Sequence, residues 1–183
     1  MPDYDNPFWQ FSLAIYAAPD VAGECLALQD TLNIDVNILL FVAWLGHAHK
    51  VKLTADNLLT VEAKVRRWRD TVVRPLRATR RGIEPLPEMA DAAVNLLRSD
   101  LARSELRAEQ IEQAMLFELT DELIDGADTT AIAVAVHDNV SAVLQQAELG
   151  AGTAVGEPPK ASRLMAEAIA YRPAIDTTRI KKD

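Results

Sequence analysis

The sequence predicts an all-α protein, a compact single-domain helical bundle, and three observations support that fold class. Only 7 of the 183 residues are glycine, the apolar residues recur at spacings of three and four rather than two, and no pair of alternating segments predicts a β-hairpin. Hydrophobic residues make up 49% of the chain and charged residues 25%, which is typical of a globular protein with a core. We expect six or seven helices between residues 6 and 149.

The first helix is predicted to begin at Pro7. Asn6 followed by proline is a typical N-cap and first helical position. Phe8, Phe11 and Ile15 follow at helical spacing, so they are expected to form its buried side.

The next two helices are bounded by short polar signals. The second is expected to begin after Pro19-Asp20 and to end at Asn33. Asp35 is the expected cap of the third helix, residues 36–47, which is apolar around most of its circumference. A helix of this kind belongs at the centre of the fold.

Residues 54–81 are predicted to form one long basic helix that Thr54 caps. Proline inside a helix removes a hydrogen bond and costs about 3 kcal/mol, so Pro75 predicts a kink or break near Val73. On an ideal helical wheel Val61 and Trp68 lie on the side that faces the core.

Three further helices are expected before residue 150. The β-branched residues at 132–136 leave a strand as an alternative within the last of them. The predicted ranges are 87–103, 104–126 with Ser104 as its cap, and 128–150 with Asp128 as its cap.

The end of the chain is expected to lie outside this helical domain. Residues 150–160 contain three glycines and two prolines, which predicts a linker. Residues 161–183 are expected to form a flexible C-terminal extension, either a short helix that buries Leu164, Ala168 and Tyr171 or a disordered segment.

Charge is divided unevenly along the sequence. The formal net charge is −8, yet residues 50–81 contain ten bases and three acids, whereas residues 82–150 contain fourteen acids and three bases. An acidic body discourages indiscriminate binding to nucleic acid. A basic element within that body can instead hold a phosphate, an acidic peptide or the acidic surface of the same protein.

The arginines of the basic segment share one outward face on the ideal wheel. Arginine's planar fork suits two-pronged contacts with carboxylate or phosphate, and only Glu62 and Asp70 within the segment can neutralise it at helical spacing. We therefore predict a non-enzymatic interaction module whose arginine face binds an acidic partner protein or a phosphate-bearing ligand. The predicted binding residues are Arg66, Arg69, Arg74, Arg77, Arg80 and Arg81.

The residues leave three alternatives open. The arginines could form ion pairs with the acidic sixth helix. The protein could be an enzyme that acts on an anionic small molecule, with Glu118, Asp121 or a histidine as acid or base. It could also be a homodimer that associates through tryptophan and leucine surfaces. Nucleic acid is disfavoured, because Trp68 is the only aromatic residue among the arginines and the wheel turns it inward.

Other chemistry finds little support in the sequence. Glu118, Asp121, Glu122 and Asp125 could coordinate magnesium, but no facing carboxylate pair is apparent, so a solvated acidic face is favoured. No Glu-x-x-His motif of a di-iron bundle occurs, and neither a G-x-S-x-G elbow nor a glycine-rich phosphate loop is present. No metal, cofactor or catalytic residue is predicted.

Cellular context is predicted from cysteine usage and apolar runs. Cys25 has no second cysteine to pair with, and it lies on an apolar stripe, so we expect a buried thiol rather than a nucleophile. No apolar run approaches the ~18 residues of a membrane span, and the first residues lack the basic start of a signal peptide. A cytoplasmic protein without membrane contact is expected.

Four ordered blocks resemble a known family. They are Trp9-x-Phe11-x-Leu13-x-x-Tyr16, Cys25-Leu26-x-Leu28-Gln29-Asp30, Asn37-x-x-Leu40-x-x-x-Trp44-Leu45 and Trp68-Arg69-x-x-Val72-Val73-x-Pro75-Leu76-Arg77-x-x-Arg80-Arg81. Together they resemble an uncharacterised proteobacterial family, domain of unknown function 2390, over roughly residues 6–125. The resemblance implies a bacterial, helical, cytoplasmic protein, and it implies no activity.

Overall fold

A computed structural model describes residues 3–83, 91–151 and 161–173. Its described residues form helices joined by short loops, as the sequence predicts, with one isolated β-bridge between Val51 and Thr129. The α-helices are α1 (Pro7–Tyr16), α2 (Val21–Leu32), α3 (Val36–Ala48), α4 (Ala55–Trp68), α5 (Arg74–Ile83), α6 (Ala92–Phe117), α7 (Thr120–Ile124), α8 (Ile132–Ala151) and α9 (Ser162–Ala170).

Helix α3 lies at the centre of the bundle, as its apolar circumference predicts. Every residue from Asn37 to Gly46 is buried, and α1, α6, α8 and α9 all pack against the helix. The closest approach is to α8, where a Cβ on Gly46 would lie 2.7 Å from the backbone nitrogen of Val136. Glycine at this position therefore lets two helix backbones touch.

The predicted caps of the first helices are present. The side chain of Asn6 accepts a hydrogen bond from the backbone N–H of Trp9, and Asp35 accepts one from Asn37. Thr54 and Asn57 form a reciprocal capping box at the start of α4. Local sequence signals thus define where these helices begin.

The kink or break predicted near Val73 coincides with a π-helical turn. Residues Arg69–Val73 form this turn and join α4 to α5 without an intervening loop. Pro75, the second residue of α5, lacks an N–H and cannot donate to a carbonyl of the preceding turn, and the π-helical turn lies where the regular hydrogen bonding is interrupted. Arg69 and Val73 are both buried in the turn.

Two predicted helix starts are wrong. Ser104 does not cap a separate helix, because α6 runs through it and its hydroxyl donates back to the carbonyl of Asp100. Asp91 is the observed cap of α6, whereas the predicted start at Pro87 lies outside the described residues. Asp128 does not cap α8, because α8 begins four residues later at Ile132, and the carbonyl of Asp128 accepts the N–H of Lys52 beside the β-bridge. Residues 132–136, where a strand was the alternative, belong to α8.

Helix α9, within the predicted C-terminal extension, packs on the bundle. Its Leu164 and Ala168 are fully buried, and it contacts α1, α2, α3 and α8. The carboxylate of Glu24 accepts the backbone N–H groups of Arg163 and Leu164 in its first turn. The predicted linker from residue 152 onward and the last part of the extension, residues 174–183, lie outside the described residues.

The described helices differ in length and apolar character. None of these helices alone combines the length and apolar character that crossing a membrane requires. Helices α1 and α2, which meet at 97°, pass that criterion of length and composition only when taken together.

Candidate functional site

Arg69 is the most buried of the six predicted binding arginines. Its Nη1 and Nη2 donate to the two carboxylate oxygens of Glu62 at 2.8 and 2.6 Å, and its guanidinium lies 3.4 Å from Asp35 and 3.3 Å from Asp70. The hydrogen bonds to Glu62 outweigh burial and raise the pKa of Arg69, while Arg69 holds the pKa of Glu62 below its usual range. The expectation that this arginine points outward is wrong.

Arg66 and Arg74 lie at the exposed edges of the Arg69 cluster. The Nε of Arg66 is 3.6 Å from the Glu62 carboxylate. Arg74 donates to Asp70 at 2.8 Å and to the side-chain oxygen of Asn33 at 3.0 Å. Both arginines are therefore exposed to solvent and paired with carboxylates of the same chain.

Arg77 and Arg80, one turn apart on α5, converge on Glu105 of α6. Arg77 donates from Nε to Glu105 at 2.8 Å and from Nη2 to Glu109 at 2.6 Å. Arg80 donates from Nε to Glu105 at 2.6 Å. Burial alone would raise the pKa of Glu105, but the hydrogen bonds from the two arginines outweigh it and lower that pKa.

Arg81 completes the set, with Nη1 donating to Asp30 of α2 at 2.9 Å. Each of the six arginines thus has a carboxylate partner within the chain. The pairs of Arg77 and Arg80 with α6 correspond to the ion-pair alternative, whereas the other four use acids that lie outside α6. Each guanidinium has five N–H donors, and the hydrogen bonds found within the described residues use only some of them. Binding of an external anion stays a prediction.

A cavity of about 290 Å³ lies beside three of these arginines, Arg77, Arg80 and Arg81. It is a partly open cavity whose walls come from α1, α2, α3, α5 and α6, and the exposed Leu13 and Leu106 extend its apolar wall to the surface. Its other lining side chains are Trp9, Ser12, Tyr16, Leu26, Gln29, Val36, Asn37, Leu40, Ala102, Glu105, Glu109 and Gln113. The cavity therefore joins a cationic end to an apolar body.

The carboxyl groups of the cavity differ in their electrostatics. Burial raises the pKa of Glu109 against the lowering effect of Arg77, and the charges of Glu105 and Asp35 add to the rise. Burial likewise raises the pKa of the Tyr16 phenol, which stays protonated. The cavity is therefore lined by three arginines and by two carboxyl groups, Glu105 and Glu109, whose pKa values are shifted in opposite directions.

Two polar atoms in the cavity-lining side chains have no hydrogen-bond partner in the described part of the chain. They are the Oγ of Ser12 and the Oε1 of Gln113, and both residues are 3% exposed. Buried polar atoms in native proteins are nearly always paired, so unpaired ones call for an explanation.

The residues named from the sequence for acid–base chemistry line a different groove. Glu118, Asp121, His47 and His49 belong to an open groove of about 1360 Å³, which none of the six arginines lines. Burial lowers the pKa of both histidines. The structure therefore does not bring the arginines and these groups into one site.

Metal binding would need grouped acidic or histidine side chains, and thiol chemistry would need the single cysteine, Cys25. Over the described ranges, no group of three or more His, Cys, Asp or Glu side chains is arranged to hold a metal ion. Cys25 is fully buried, and burial raises the pKa of its thiol to about 12. The prediction of a buried thiol is confirmed.

Sequence reasoning missed the cavity because its wall comes from separate helices. Ser12, Glu105, Glu109 and Gln113 were not among the predicted binding residues, although the last three recur every four residues on one face of α6. That repeat, opposite a basic helix, is the signal that could have identified them.

Comparison with known protein families adds one finding. A family model described as "Protein of unknown function (DUF2390)" matches residues 7–116, more than half of the chain. The chain belongs to the DUF2390 family. This match confirms the predicted resemblance. The DUF2390 region contains every residue that lines the arginine cavity, whereas the histidine groove also uses residues beyond it. Neither a curated protein nor a solved structure matches this DUF2390 chain.

Proposed function

We propose that this protein is a non-enzymatic binding module that holds a small molecule bearing a phosphate or carboxylate in the arginine cavity. The observation that carries the proposal is the convergence of Arg77, Arg80 and Arg81 on one end of a cavity whose body is apolar. Pockets for small ligands commonly combine apolar walls with a few orienting polar groups.

The charge balance of the cavity supports an anionic ligand. The cavity lining contains three arginines but only two carboxyl groups, Glu105 and Glu109, which pair with Arg77 and Arg80, whereas Arg81 pairs with the exposed Asp30 outside the lining. An anion would bind the N–H donors that the internal pairs leave over. A small ligand is favoured over an acidic protein surface, because Arg69 is buried and Arg66 and Arg74 lie outside this cavity.

The proposal is tested by titrating the protein with phenyl phosphate, an apolar ring with one anionic group, by calorimetry at low and high salt. The test variant is Arg81→Gln, whose partner Asp30 is itself exposed, so its effect on folding is expected to be small. Arg66→Gln is the matched control, because Arg66 is an exposed paired arginine outside the cavity.

We expect Arg81→Gln to weaken binding about tenfold, near the contribution of one charge-assisted hydrogen bond, and Arg66→Gln to change it less than about twofold. Salt should weaken binding to the wild type more than to Arg81→Gln. Absence of saturable binding at millimolar phenyl phosphate, or equal weakening in both variants, would contradict the proposal.

A second candidate function is acid–base catalysis on the same class of anion. The observation that favours it is Glu109, a cavity-lining carboxyl group with a raised pKa beside Arg77. Conversion of phenyl phosphate followed by phosphorus NMR would support catalysis if Glu109→Gln abolished it while retaining binding. Binding without conversion in the wild type favours the module.

A further inference from the structure

The wall of the arginine cavity contains a chain of hydrogen bonds with one direction. The Nδ2 of Asn37 donates to the Oε2 of Glu112 at 3.3 Å, and the Nε2 of Gln113 donates to the Oδ1 of Asn37 at 2.9 Å. Asn37 and Gln113 line the cavity, while Glu112 is fully buried behind them. The chain therefore begins at a buried carboxyl group and ends at the cavity.

The direction of this chain follows from the carboxyl group at its start. Burial, together with Asp35, raises the pKa of Glu112 to about 10, and the Oε1 of Glu112 has no hydrogen-bond partner in the described part of the chain. The Oε2 of Glu112 accepts from the Nδ2 of Asn37, so a proton on this carboxyl group belongs on Oε1. Asn37 must then present its oxygen to Gln113, and Gln113 must present its nitrogen to Asn37.

The end of the chain is an acceptor without a donor. Because Nε2 of Gln113 is committed to Asn37, the atom left over is Oε1, which has no partner among the described residues. The hydroxyl of Ser12, on the neighbouring wall from α1, is also unpartnered there and can accept a hydrogen bond. Both residues line the cavity, so its wall on this side contains unpartnered acceptor atoms, whereas the arginine side offers donors.

The two ends are separated by a distance that a small molecule can span. Helix α6 rises about 1.5 Å per residue, so Gln113 lies about 6 Å along the axis from Glu109 and about 12 Å from Glu105, the partners of Arg77 and Arg80. A volume of about 290 Å³ is roughly twice that of a cavity known to hold benzene. One ring with a substituent at each end fits these dimensions.

We infer that the ligand of this cavity is an amphipathic acid with a phosphate or carboxylate at one end, a single-ring apolar body, and an N–H or O–H donor at the other end. This inference rests on the proposed function and specifies its ligand class. The anionic end pairs with Arg77, Arg80 and Arg81, and the donor end bonds to Oε1 of Gln113.

The inference is tested with three ligands of similar size that share the anionic group. They are phenyl phosphate, which has no second polar group, 4-aminophenyl phosphate, which adds a donor, and 4-methoxyphenyl phosphate, which adds only an acceptor. We expect 4-aminophenyl phosphate to bind the wild-type protein about tenfold more tightly than the other two. This comparison needs no variant, so it does not depend on a substitution that folds.

A variant then assigns the preference to one residue. In Gln113→Met the ratio of the affinities for the amino and the methoxy compound should fall from about tenfold to about one. Gln110→Met is the matched control, because Gln110 lies on the same helix but outside the cavity, and it should keep the preference.

The outcomes separate this inference from the proposed function. Equal affinity for the three compounds, or a preference for the methoxy compound, would overturn the inference and leave anion binding in place. Retention of the amino preference in Gln113→Met would overturn the assignment to Gln113. Failure of all three compounds to bind would overturn the proposed function and the inference together.

Discussion

Arg69 binds Glu62 through two parallel hydrogen bonds of 2.8 and 2.6 Å, and this pair holds the π-helical turn against the end of α4. Arg69 is 10% exposed and Glu62 29% exposed in their side chains, so neither is solvated like a surface ion. Removing one partner of such a pair leaves a partly buried charge without a counter-charge, and this lowers the stability of the fold.

Arg69→Met is expected to lower the free energy of unfolding by about 3 kcal/mol, because Glu62 and Asp35 lose their shared cation. Urea denaturation followed by circular dichroism measures the change. Arg66→Met is the control and should change the free energy of unfolding by less than about 0.5 kcal/mol. Arg66 is exposed, and its ion pair with Glu62 is long, at 3.6 Å. Similar losses in both variants would mean that the turn does not depend on this pair.

Gly46→Ala is expected to destabilise the protein by about 2 kcal/mol or more. The added Cβ would lie 2.7 Å from the backbone nitrogen of Val136, and neither helix backbone can move without disturbing the core. Gly23→Ala, in the exposed face of α2 with no atom within 4 Å, should instead stabilise by about 0.5–1 kcal/mol through helix propensity. Thermal melts of the two variants should shift in opposite directions, and a shared direction would contradict the close contact of α3 with α8.

Glu112→Gln is expected to flatten the dependence of stability on pH. The pKa of Glu112 is raised from 4.5 to about 10, so between these values the folded protein holds a proton that the unfolded chain has lost. Stability contributed by this group is complete below the unfolded pKa and falls as pH rises toward the folded one, by up to about 1.4 kcal/mol per pH unit.

Glutamine keeps an acceptor oxygen for Asn37 and places an N–H donor where the protonated acid has its O–H, so the bond with Asn37 is retained in this variant. Chemical denaturation at several pH values from about 6 to 9 should therefore show the variant gaining on the wild type as pH rises. Parallel profiles would show that Glu112 does not carry the buried proton.

Asn139→Ala is expected to cost about 3 kcal/mol and to loosen the loop before α4. The side chain of Asn139 accepts the N–H of Leu53 at 2.9 Å and donates to the carbonyls of Val51 and Val42. All three backbone groups would lose a buried partner. Hydrogen exchange should show faster exchange of the Leu53 amide than any change in overall stability explains, and unchanged protection at Leu53 would contradict this role.

Helix boundaries with local chemical signals were predictable from the sequence. Asn6, Asp35 and Thr54 cap the helices that they were expected to cap, because a capping side chain acts on backbone groups two or three residues away. Ser104 was misleading for a related reason. Its hydroxyl can also bond to a carbonyl one turn earlier, and only the packing of α6 decides between the two arrangements.

The site was predictable in composition but not in arrangement. The basic residues were identified, and Arg77, Arg80 and Arg81 do line a cavity. The carboxylate partner of each arginine depends on which acidic residues the neighbouring helices place beside it. The spacing of residues within one helix does not reveal how neighbouring helices pack. Gln113 shows the limit most clearly, since its unpaired oxygen results from a bond to Asn37, 76 residues away.

The π-helical turn divides the basic segment into two helical registers that are offset from each other. One extra residue in a turn rotates the helix that follows by about 100° around its axis. The arginines before and after residues 69–73 therefore point toward different neighbouring residues. A substitution can remove a charge from either register but cannot transfer it to the other. An insertion or deletion within those five residues would change which carboxylates the arginines after the turn meet. The length of the turn therefore determines the ion pairs together with the identity of the residues.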